Sequence, residues 1–207
     1  TSAIREAANG AEWAATLTAR LGWVVNIIPG VLEAQLSAAG MLSEHPDYPH
    51  ALCVDQGGGS LEMYSGLTQQ VFTCPGGVHA LHAQYGQAQA ARAYLVGQLQ
   101  ALNWPWAAHD AVLTIGNTTG ELLRLMPVPV AGAGRAAAHD FCQRVMAGWV
   151  PPSVDGLEDN FIAQLPYRGA MLAALLEVCA VPVFKAARFG LREGVAQVQF
   201  IAAKKGL

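Results

Sequence analysis

The chain has 207 residues, of which 53% are hydrophobic and 13% are charged, and its formal net charge is −3. This composition allows a substantial core in one large domain, or in one and a half small ones. The small negative charge argues against a nucleic-acid surface. No apolar run is long enough to cross a bilayer and no charged leader precedes an apolar segment, so we expect no membrane partner.

Cysteine and histidine placement argues against a disulfide scaffold or a zinc site. The four cysteines are scattered, without a CxxC pair and without a histidine at ligand spacing. This pattern predicts reduced thiols in a cytoplasmic protein. Only His79 and His82 stand three residues apart, and no carboxylate lies close to them in sequence, so we interpret them as surface or interface residues.

The first half of the chain predicts two helices, a strand between them and a β-meander. Ser2 is the expected N-cap of the first helix, and Pro29-Gly30 is expected to end the first strand. The predicted helices span 2–21 and 31–42, and the predicted strands span 23–28, 51–54, 61–65 and 71–74. The last three strands form the middle of a mixed sheet.

The second half predicts mainly helices around one buried strand. The strand covers 111–115, and a short extended piece covers 181–187. Helices are predicted over 78–102, from about 121, and over 136–149, 165–178 and 191–203. The fold class is therefore α/β, with a mixed sheet flanked by helices.

The run from Asp55 to Glu62 is the most informative stretch. A hydrophobic strand delivers Asp55, a turn of three glycines and a hydroxyl follows, and Glu62 begins the next strand. The turn residues are Gly57, Gly58, Gly59 and Ser60. Glycine backbone can approach a ligand closely, and successive amides can converge on phosphate oxygens. The two acids could hold a divalent cation that bridges protein and phosphate, so we prefer a phosphate site over an ordinary hairpin turn.

A second loop of similar kind lies between a predicted strand and a predicted helix. Its residues are Gly116, Asn117, Thr118, Thr119 and Gly120. Backbone amides at a helix start favour an anion, although a threonine there could simply be an N-cap. Two such loops could grip a polyanion from two sides. No Lys-Ser or Lys-Thr follows the glycines, so this is not a P-loop.

Two further parts of the sequence could belong to a site, although their residue types alone favour a structural role. Glu33 lies in the first turn of a predicted helix, where composition favours a solvated glutamate stabilised by the helix dipole. The segment 189–194 is interpreted as a helix start that anchors one part of the protein on another, although Arg192 could reach a phosphate.

Four motifs resemble the exopolyphosphatase and guanosine pentaphosphate phosphohydrolase family, in the family's order. Residues 1–9 resemble the opening of a middle segment of these proteins, and residues 28–36 resemble I-S-G-x-E-E-A-R-L. Residues 54–62 are similar to V-D-I-G-G-G-S-T-E, and residues 189–194 to Y-G-L-R-E-G. The resemblance extends over almost the whole chain.

The resemblance implies an actin-like, ribonuclease-H-type fold in which two lobes close on phosphate and Mg²⁺. It implies hydrolytic release of terminal phosphate from polyphosphate or guanosine pentaphosphate, and it is compatible with a homodimer. By position, Glu33 matches the glutamate that activates water, in contrast to its interpretation from composition. Asp55 and Glu62 match the acids around the metal. Arg5 and the turn from Gly57 to Ser60 match phosphate contacts.

Several departures from the family pattern keep alternatives open. Leu32 replaces the first glutamate of the E-E pair, Gln35 replaces the arginine, Pro29 the serine and Gln56 an apolar residue. The family's first phosphate hairpin is expected before Thr1, so we expect a truncated two-lobe protein whose 207 residues alone are weakly active or inactive. In this interpretation 1–135 is the second lobe and 136–207 is a helical part that returns toward the first.

The alternative function is a catalytically impaired sensor of nucleotide or polyphosphate with the same fold. A sugar or acetate kinase relative ranks third, because the sequence has no recognisable adenosine pocket. The sequence does not separate polyphosphate from guanosine pentaphosphate as the substrate.

Overall fold

A five-stranded sheet with helices on both faces forms the centre of the protein. The computed structural model describes residues 2–115, 119–126, 129–130, 134–152 and 159–204. The helices are α1 (Ser2–Glu6), α2 (Gly10–Leu21), α3 (Gly30–Glu44), α4 (Val78–Gln84), α5 (Ala88–Gln100), α6 (Glu121–Arg124), α7 (Gly134–Met146), α8 (Asp159–Val178) and α9 (Leu191–Lys204). The strands are β1 (Leu52–Gln56), β2 (Leu61–Ser65), β3 (Val71–Cys74), β4 (Val112–Ile115) and β5 (Phe184–Ala186).

The sheet is mixed, as the sequence predicts. Its strand order is β3-β2-β1-β4-β5. Strands β1, β2 and β3 form the antiparallel meander, whereas β4 is parallel to both β1 and β5. Parallel neighbours need long crossover connections, and the helical segments between β1 and β5 supply them. The predicted α/β class is confirmed.

Each face of the sheet has its own hydrophobic cluster, because side chains alternate along β1. Leu52 and Val54 belong to the larger cluster, which also contains residues of α5, α7 and α8. Cys53 belongs to the smaller cluster, together with Ala38 and Met41 of α3. Asp55 is therefore directed to the α3 face, and Gln56 to the face of the larger cluster.

Helix α9 crosses α3 at unusually short range. A Cβ built on Gly194 would lie 1.8 Å from the carbonyl oxygen of Leu36, and one built on Gly40 would lie 2.2 Å from the carbonyl oxygen of Gly190. Just before α9, the carboxylate of Glu44 accepts hydrogen bonds from the backbone amides of residues 188 and 189. The segment 189–194 thus anchors the C-terminal helix on α3, the helix that carries Glu33.

The predicted strand over 23–28 is not formed. The segment pairs with no strand in the described part of the chain, and Val24 is 80% exposed. A β-rich sequence becomes a strand only when a neighbouring edge supplies its hydrogen bonds. The strand predicted over 23–28 from β-propensity alone was therefore wrong.

Two predicted helices are each divided in two. The helix over 2–21 breaks at 7–9, where a Cβ on Gly10 would lie 2.0 Å from the carbonyl oxygen of Ile4. The helix over 78–102 breaks at 85–87. Ser2 lies within α1 and not before it, and it is buried against Gly59. The prediction that Ser2 caps the first helix stays a prediction.

No helix in the described ranges has both the length and the apolar character needed to cross a bilayer.

Candidate active site

The glycine turn between β1 and β2 is held from one side by the start of α4. The amide of Gly57 donates to the carbonyl of Ser60 at 2.9 Å and closes the turn. The carbonyls of Gly57, Gly58 and Gly59 accept hydrogen bonds from the amides of residues 78, 79 and 77, at 3.1, 2.8 and 3.3 Å. The turn therefore presents its carbonyl oxygens to α4.

This arrangement leaves two backbone amides of the turn that could donate hydrogen bonds to a ligand. The amides of Gly58 and Gly59 donate to no group within the residues that the structure describes. Unpaired backbone amides in a turn form a concave site for an anion. His79 and Ser2 pack closely against the turn, since a Cβ would lie 2.6 Å from the His79 ring at Gly58 and 2.5 Å from the Ser2 hydroxyl at Gly59.

Asp55 and Glu62 lie side by side on the α3 face of the sheet. They are directly opposite one another in the β1–β2 ladder, so both side chains leave the same face. Oδ2 of Asp55 accepts a hydrogen bond from the hydroxyl of Ser37 at 2.7 Å. Ser37 is one turn after Glu33 on α3, and these two helix residues share a face.

Arg5 joins the carboxylates into one cluster. Its Nη1 donates to Oε2 of Glu33 at 2.7 Å and to the carbonyl of Ile28 at 3.3 Å. Its Nη2 lies 3.5 Å from Oε1 of Glu62, an ion pair without a hydrogen bond. The structure thus brings together Arg5, Glu33, Asp55 and Glu62 from α1, α3 and two strands.

The surroundings of Asp55 and Glu62 disfavour the charged form of both side chains. Burial raises the pKa of Glu62 to about 7, and the nearby carboxylates add to this rise, although Ser60 and Arg5 oppose it. Burial raises the pKa of Asp55 to about 6, with the Ser37 hydrogen bond opposing and Glu33 adding. Burial and like charges both favour the neutral acid. A bound cation would instead stabilise the charged carboxylates.

Asp55 and Glu62 are the residues that would hold a magnesium ion shared with phosphate. Oε1 of Glu62 is buried and accepts no hydrogen bond from the described part of the chain. Within the described residues, no group of three or more His, Cys, Asp or Glu side chains is arranged to hold a metal by itself. Mg²⁺ commonly takes one or two carboxylates together with substrate phosphates, which matches Asp55 and Glu62 beside the glycine turn.

We expect Glu62→Gln to change the pH dependence of stability. The folded-state pKa of Glu62 lies above its ordinary value of 4.5, so the carboxyl costs the native protein stability as pH rises from about 4.5 to about 7. Removing the carboxyl should therefore stabilise the protein relative to wild type by roughly 2 kcal/mol at pH 8, and little at pH 4. Urea unfolding without Mg²⁺ or phosphate measures this difference. Glu12→Gln, at an exposed position, is the control, and parallel curves for Glu62→Gln and wild type would contradict the expectation.

The second predicted loop is described only at its end. Gly116, Asn117 and Thr118 lie outside the described residues. Thr119 is fully buried and donates its hydroxyl to Oε1 of Gln56 at 3.0 Å. The phosphate role of this loop stays a prediction.

A buried arginine that is connected to the glycine turn through Gln164 and His79 was missed by the sequence reasoning. Arg168, on α8, is 4% exposed, and its Nε and Nη1 have no hydrogen-bond partner among the residues that the structure describes. Its Nη2 donates to Oε1 of Gln164 at 3.0 Å, and Nε2 of Gln164 lies 3.2 Å from Nδ1 of His79. A polar chain therefore runs from the glycine turn to an incompletely satisfied cation, whose pKa burial lowers to about 10.

Sequence signals for these additional residues did exist. Arg168 is the single Lys or Arg residue of α8, a long and largely apolar helix. Charged residues are rarely buried, so a lone arginine among the buried residues of this helix is the signal that could have been noticed. Ser37 could have been found from its helical spacing to Glu33. His79 is exposed as expected, but its contact with Gly58 places it at the rim of the site.

Sequence comparison agrees with the motif resemblance over the first part of the chain. The family model of the Ppx/GppA phosphatase family matches residues 1–87. This range contains Arg5, Glu33, Asp55, the glycine turn and Glu62. No curated protein matches the chain.

Solved structures share the fold at low sequence identity. An exopolyphosphatase from Cytophaga hutchinsonii is similar with a TM-score of 0.76 and 15% identity, covering 97% of this chain and 73% of that chain. A Ppx/GppA family member from Aquifex aeolicus has a TM-score of 0.73 and 18% identity, covering 97% and 72%. An exopolyphosphatase-like protein has a TM-score of 0.71 and 20% identity, covering 95% and 74%. The predicted resemblance is confirmed.

Proposed function

From the Ppx/GppA phosphatase pattern of residues 1–87, we propose that this protein releases terminal phosphate from polyphosphate or guanosine pentaphosphate by attack of water. One observation carries the proposal. Glu33, Asp55 and Glu62 converge on one face of the sheet, beside a turn whose amides at Gly58 and Gly59 are unpaired within the described residues.

Each residue has a chemical task in this proposal. The oxygen of a water forms a bond to the terminal phosphorus, the bridging P–O bond breaks, and the shortened chain leaves with its electron pair. The carboxylate of Glu33 accepts the proton of the attacking water, as a general base. The glycine amides donate to the phosphate oxygens, where charge develops. Asp55 and Glu62 would hold Mg²⁺, which when bound neutralises the negative charge of the phosphates.

Two arginines supply further positive charge. Arg5 already lies between Glu33 and Glu62 and can donate to a phosphate oxygen from the same position. Arg168 has two groups on a buried guanidinium that are unsatisfied within the described ranges, and a phosphate could satisfy them. Charge-assisted hydrogen bonds from arginine to phosphate are among the strongest in proteins.

The proposal is tested by measuring phosphate release and ligand binding in parallel on the full-length protein. We expect tripolyphosphate or guanosine pentaphosphate to bind and to yield orthophosphate when Mg²⁺ is present. Arg168→Met should weaken binding about tenfold or more, because the charge-assisted contact is lost. Binding of neither compound would contradict the function, and unchanged binding by Arg168→Met would contradict the role of that arginine.

A sensor without chemistry is the second candidate function. It is favoured by the 2.7 Å contact that engages Oε2 of Glu33 with Arg5, and by Leu32 and Gln35 in place of the family's glutamate and arginine. The same paired measurement separates the two functions. Tight binding with no release of orthophosphate would indicate the sensor.

A further inference from the structure

His79, the second residue of α4, contacts the glycine turn with both its backbone and its ring. Its amide donates to the carbonyl of Gly58 at 2.8 Å. A Cβ built on Gly58 would lie 2.6 Å from Cδ2 of His79 and 3.4 Å from its Nε2. The Cδ2–Nε2 edge of the imidazole therefore faces Gly58, a residue whose own amide is unpaired within the described part of the chain.

The other ring nitrogen of His79 is held by Gln164, a buried residue of α8. Nε2 of Gln164 lies 3.2 Å from Nδ1 of His79 and 2.7 Å from Oδ1 of Asn160. Oε1 of Gln164 accepts a hydrogen bond from Nη2 of Arg168 at 3.0 Å. An arginine side chain only donates, so the amide oxygen has to face Arg168 and the amide nitrogen has to face His79.

These contacts determine which nitrogen of the neutral His79 ring carries the proton. The amide nitrogen of Gln164 donates and does not accept, so Nδ1 of His79 is the acceptor and has no proton. The proton of the neutral ring is therefore on Nε2, the nitrogen on the edge that faces Gly58. Among the residues that the structure describes, Nε2 has no hydrogen-bond partner of its own.

The simpler interpretation is an exposed histidine whose bond to Gln164 only joins α4 to α8. That interpretation leaves Nε2–H to water and predicts the same phosphate affinity without the ring. Two observations favour a ligand instead. The free Nε2–H lies beside the amide of Gly58, which is unpaired within the described residues. The hydrogen bonds that orient the ring begin at Arg168, whose Nε and Nη1 are unpaired in the same ranges.

We propose that His79 is a further phosphate-binding residue of the site, and that its Nε2–H donates to an oxygen of the phosphate chain. The proposal rests on the proposed function and deepens it. Arg168 orients the amide of Gln164, and Gln164 keeps the proton of His79 on Nε2. Gln164 is thus a positioning residue that acts through His79. The ring adds a side-chain donor to the backbone amides of Gly58 and Gly59.

The test compares His79→Phe and His79→Gln in the full-length protein. Titration calorimetry with tripolyphosphate gives Kd, and orthophosphate release gives KM. Phenylalanine keeps a flat ring but has no donor, so we expect it to raise Kd and KM about tenfold, as for the loss of one hydrogen bond to a charged group. Glutamine carries an N–H donor on a flexible side chain, so its Kd should lie closer to that of wild type.

The ring nitrogens supply a measurement that packing alone would not change. In nitrogen–proton correlation spectra, the resonances that disappear in His79→Phe identify the His79 ring. We expect the proton of the neutral ring on Nε2 in the free protein, and tripolyphosphate should shift its resonance and slow its exchange with water. Gln164→Met removes the donor to Nδ1, so both tautomers should then appear.

His82→Phe is the matched control for His79→Phe. It makes the same change three residues later on the same helix, at an exposed position where the ring packs against Tyr167. We expect wild-type Kd and KM, because this ring is not directed at the glycine turn. Thermal unfolding of each variant checks that the protein is folded.

The outcomes distinguish this proposal from the function on which it rests. Wild-type affinity in His79→Phe, an equal loss in His82→Phe, or a neutral ring with its proton on Nδ1 would overturn the role of His79. An unchanged tautomer in Gln164→Met would overturn the role of Gln164. A wild-type protein that binds tripolyphosphate without releasing orthophosphate would overturn the hydrolase alone, and Kd would still report the role of His79. A wild-type protein that binds no tripolyphosphate would overturn both.

Discussion

Replacing Glu33 by glutamine is expected to reduce kcat for orthophosphate release by about 10²–10⁴, the usual contribution of a general base. Glutamine has nearly the same shape, but it cannot accept the proton of the attacking water. Affinity for tripolyphosphate should change little, because the glycine amides and Arg168 keep their positions. Single-turnover release and calorimetric binding, measured on the same preparation, check both statements.

The surroundings of Glu33 explain why its loss should affect catalysis more than folding. Its side chain is only partly buried and meets Arg5 at 2.7 Å, and Arg5 also approaches Glu62 at 3.5 Å. In Glu33→Gln the amide oxygen can still accept the hydrogen bond from Arg5, so the variant removes the charge of the pair and keeps the contact. A decrease in turnover of several orders of magnitude would therefore not reflect unfolding.

Glu12→Gln is the matched control for Glu33→Gln. It makes the same chemical change at an exposed position of α2, and we expect wild-type kcat and Kd. If Glu33→Gln kept near-normal turnover, the role of Glu33 as the base would be wrong. If it lost binding as well as turnover, Glu33 would instead hold the ligand or the position of Arg5.

Gly194→Ala is expected to lower the free energy of unfolding by about 3 kcal/mol, at the upper end of the usual cost of overpacking. Its new Cβ would lie 1.8 Å from the carbonyl oxygen of Leu36, a backbone atom that cannot turn aside. Helix α9 would have to move away from α3. Because α3 carries Glu33 and Ser37, phosphate release should fall as well. Urea unfolding and kinetics at a temperature where the variant stays folded measure the two effects.

Gly97→Ala is the control for Gly194→Ala, and we expect it to change the stability in the opposite direction. Gly97 lies within helix α5, and a Cβ there would meet nothing within 4 Å. Alanine is the better helix former by about 1 kcal/mol, so this variant should be slightly more stable than wild type. Equal stability of Gly194→Ala and wild type would show that α9 does not pack on α3 at the stated distance.

Much of the site follows from local sequence because its parts are short and contiguous. Asp55, the glycine turn and Glu62 lie on one hairpin, and a two-residue period places both acids on one face as soon as the hairpin forms. The meander was predicted almost to the residue, since alternation and turn glycines are local signals. The family resemblance, and not the composition, identified Glu33.

Other features could not be predicted from the sequence, because they depend on contacts between residues that are far apart in it. Gly58 and His79 belong to neighbouring segments. The hydrogen bonds that connect His79 to Gln164 and Gln164 to Arg168, in contrast, include a contact between residues 85 positions apart, His79 and Gln164. The failure of the strand over 23–28 has the same origin, because its pairing depends on an edge that local propensity does not supply.

The sequence by itself determined the α/β class, the glycine turn with its two acids, and the family resemblance that singles out Arg5 and Glu33. These depend on residue type and short spacing. Only the tertiary structure decided that the turn's carbonyls face α4, that Arg168 is buried, and that Gln56 joins Thr119 to Gly76. Such contacts arise when helices pack on a sheet, and long-range packing leaves no local periodic signal in the chain.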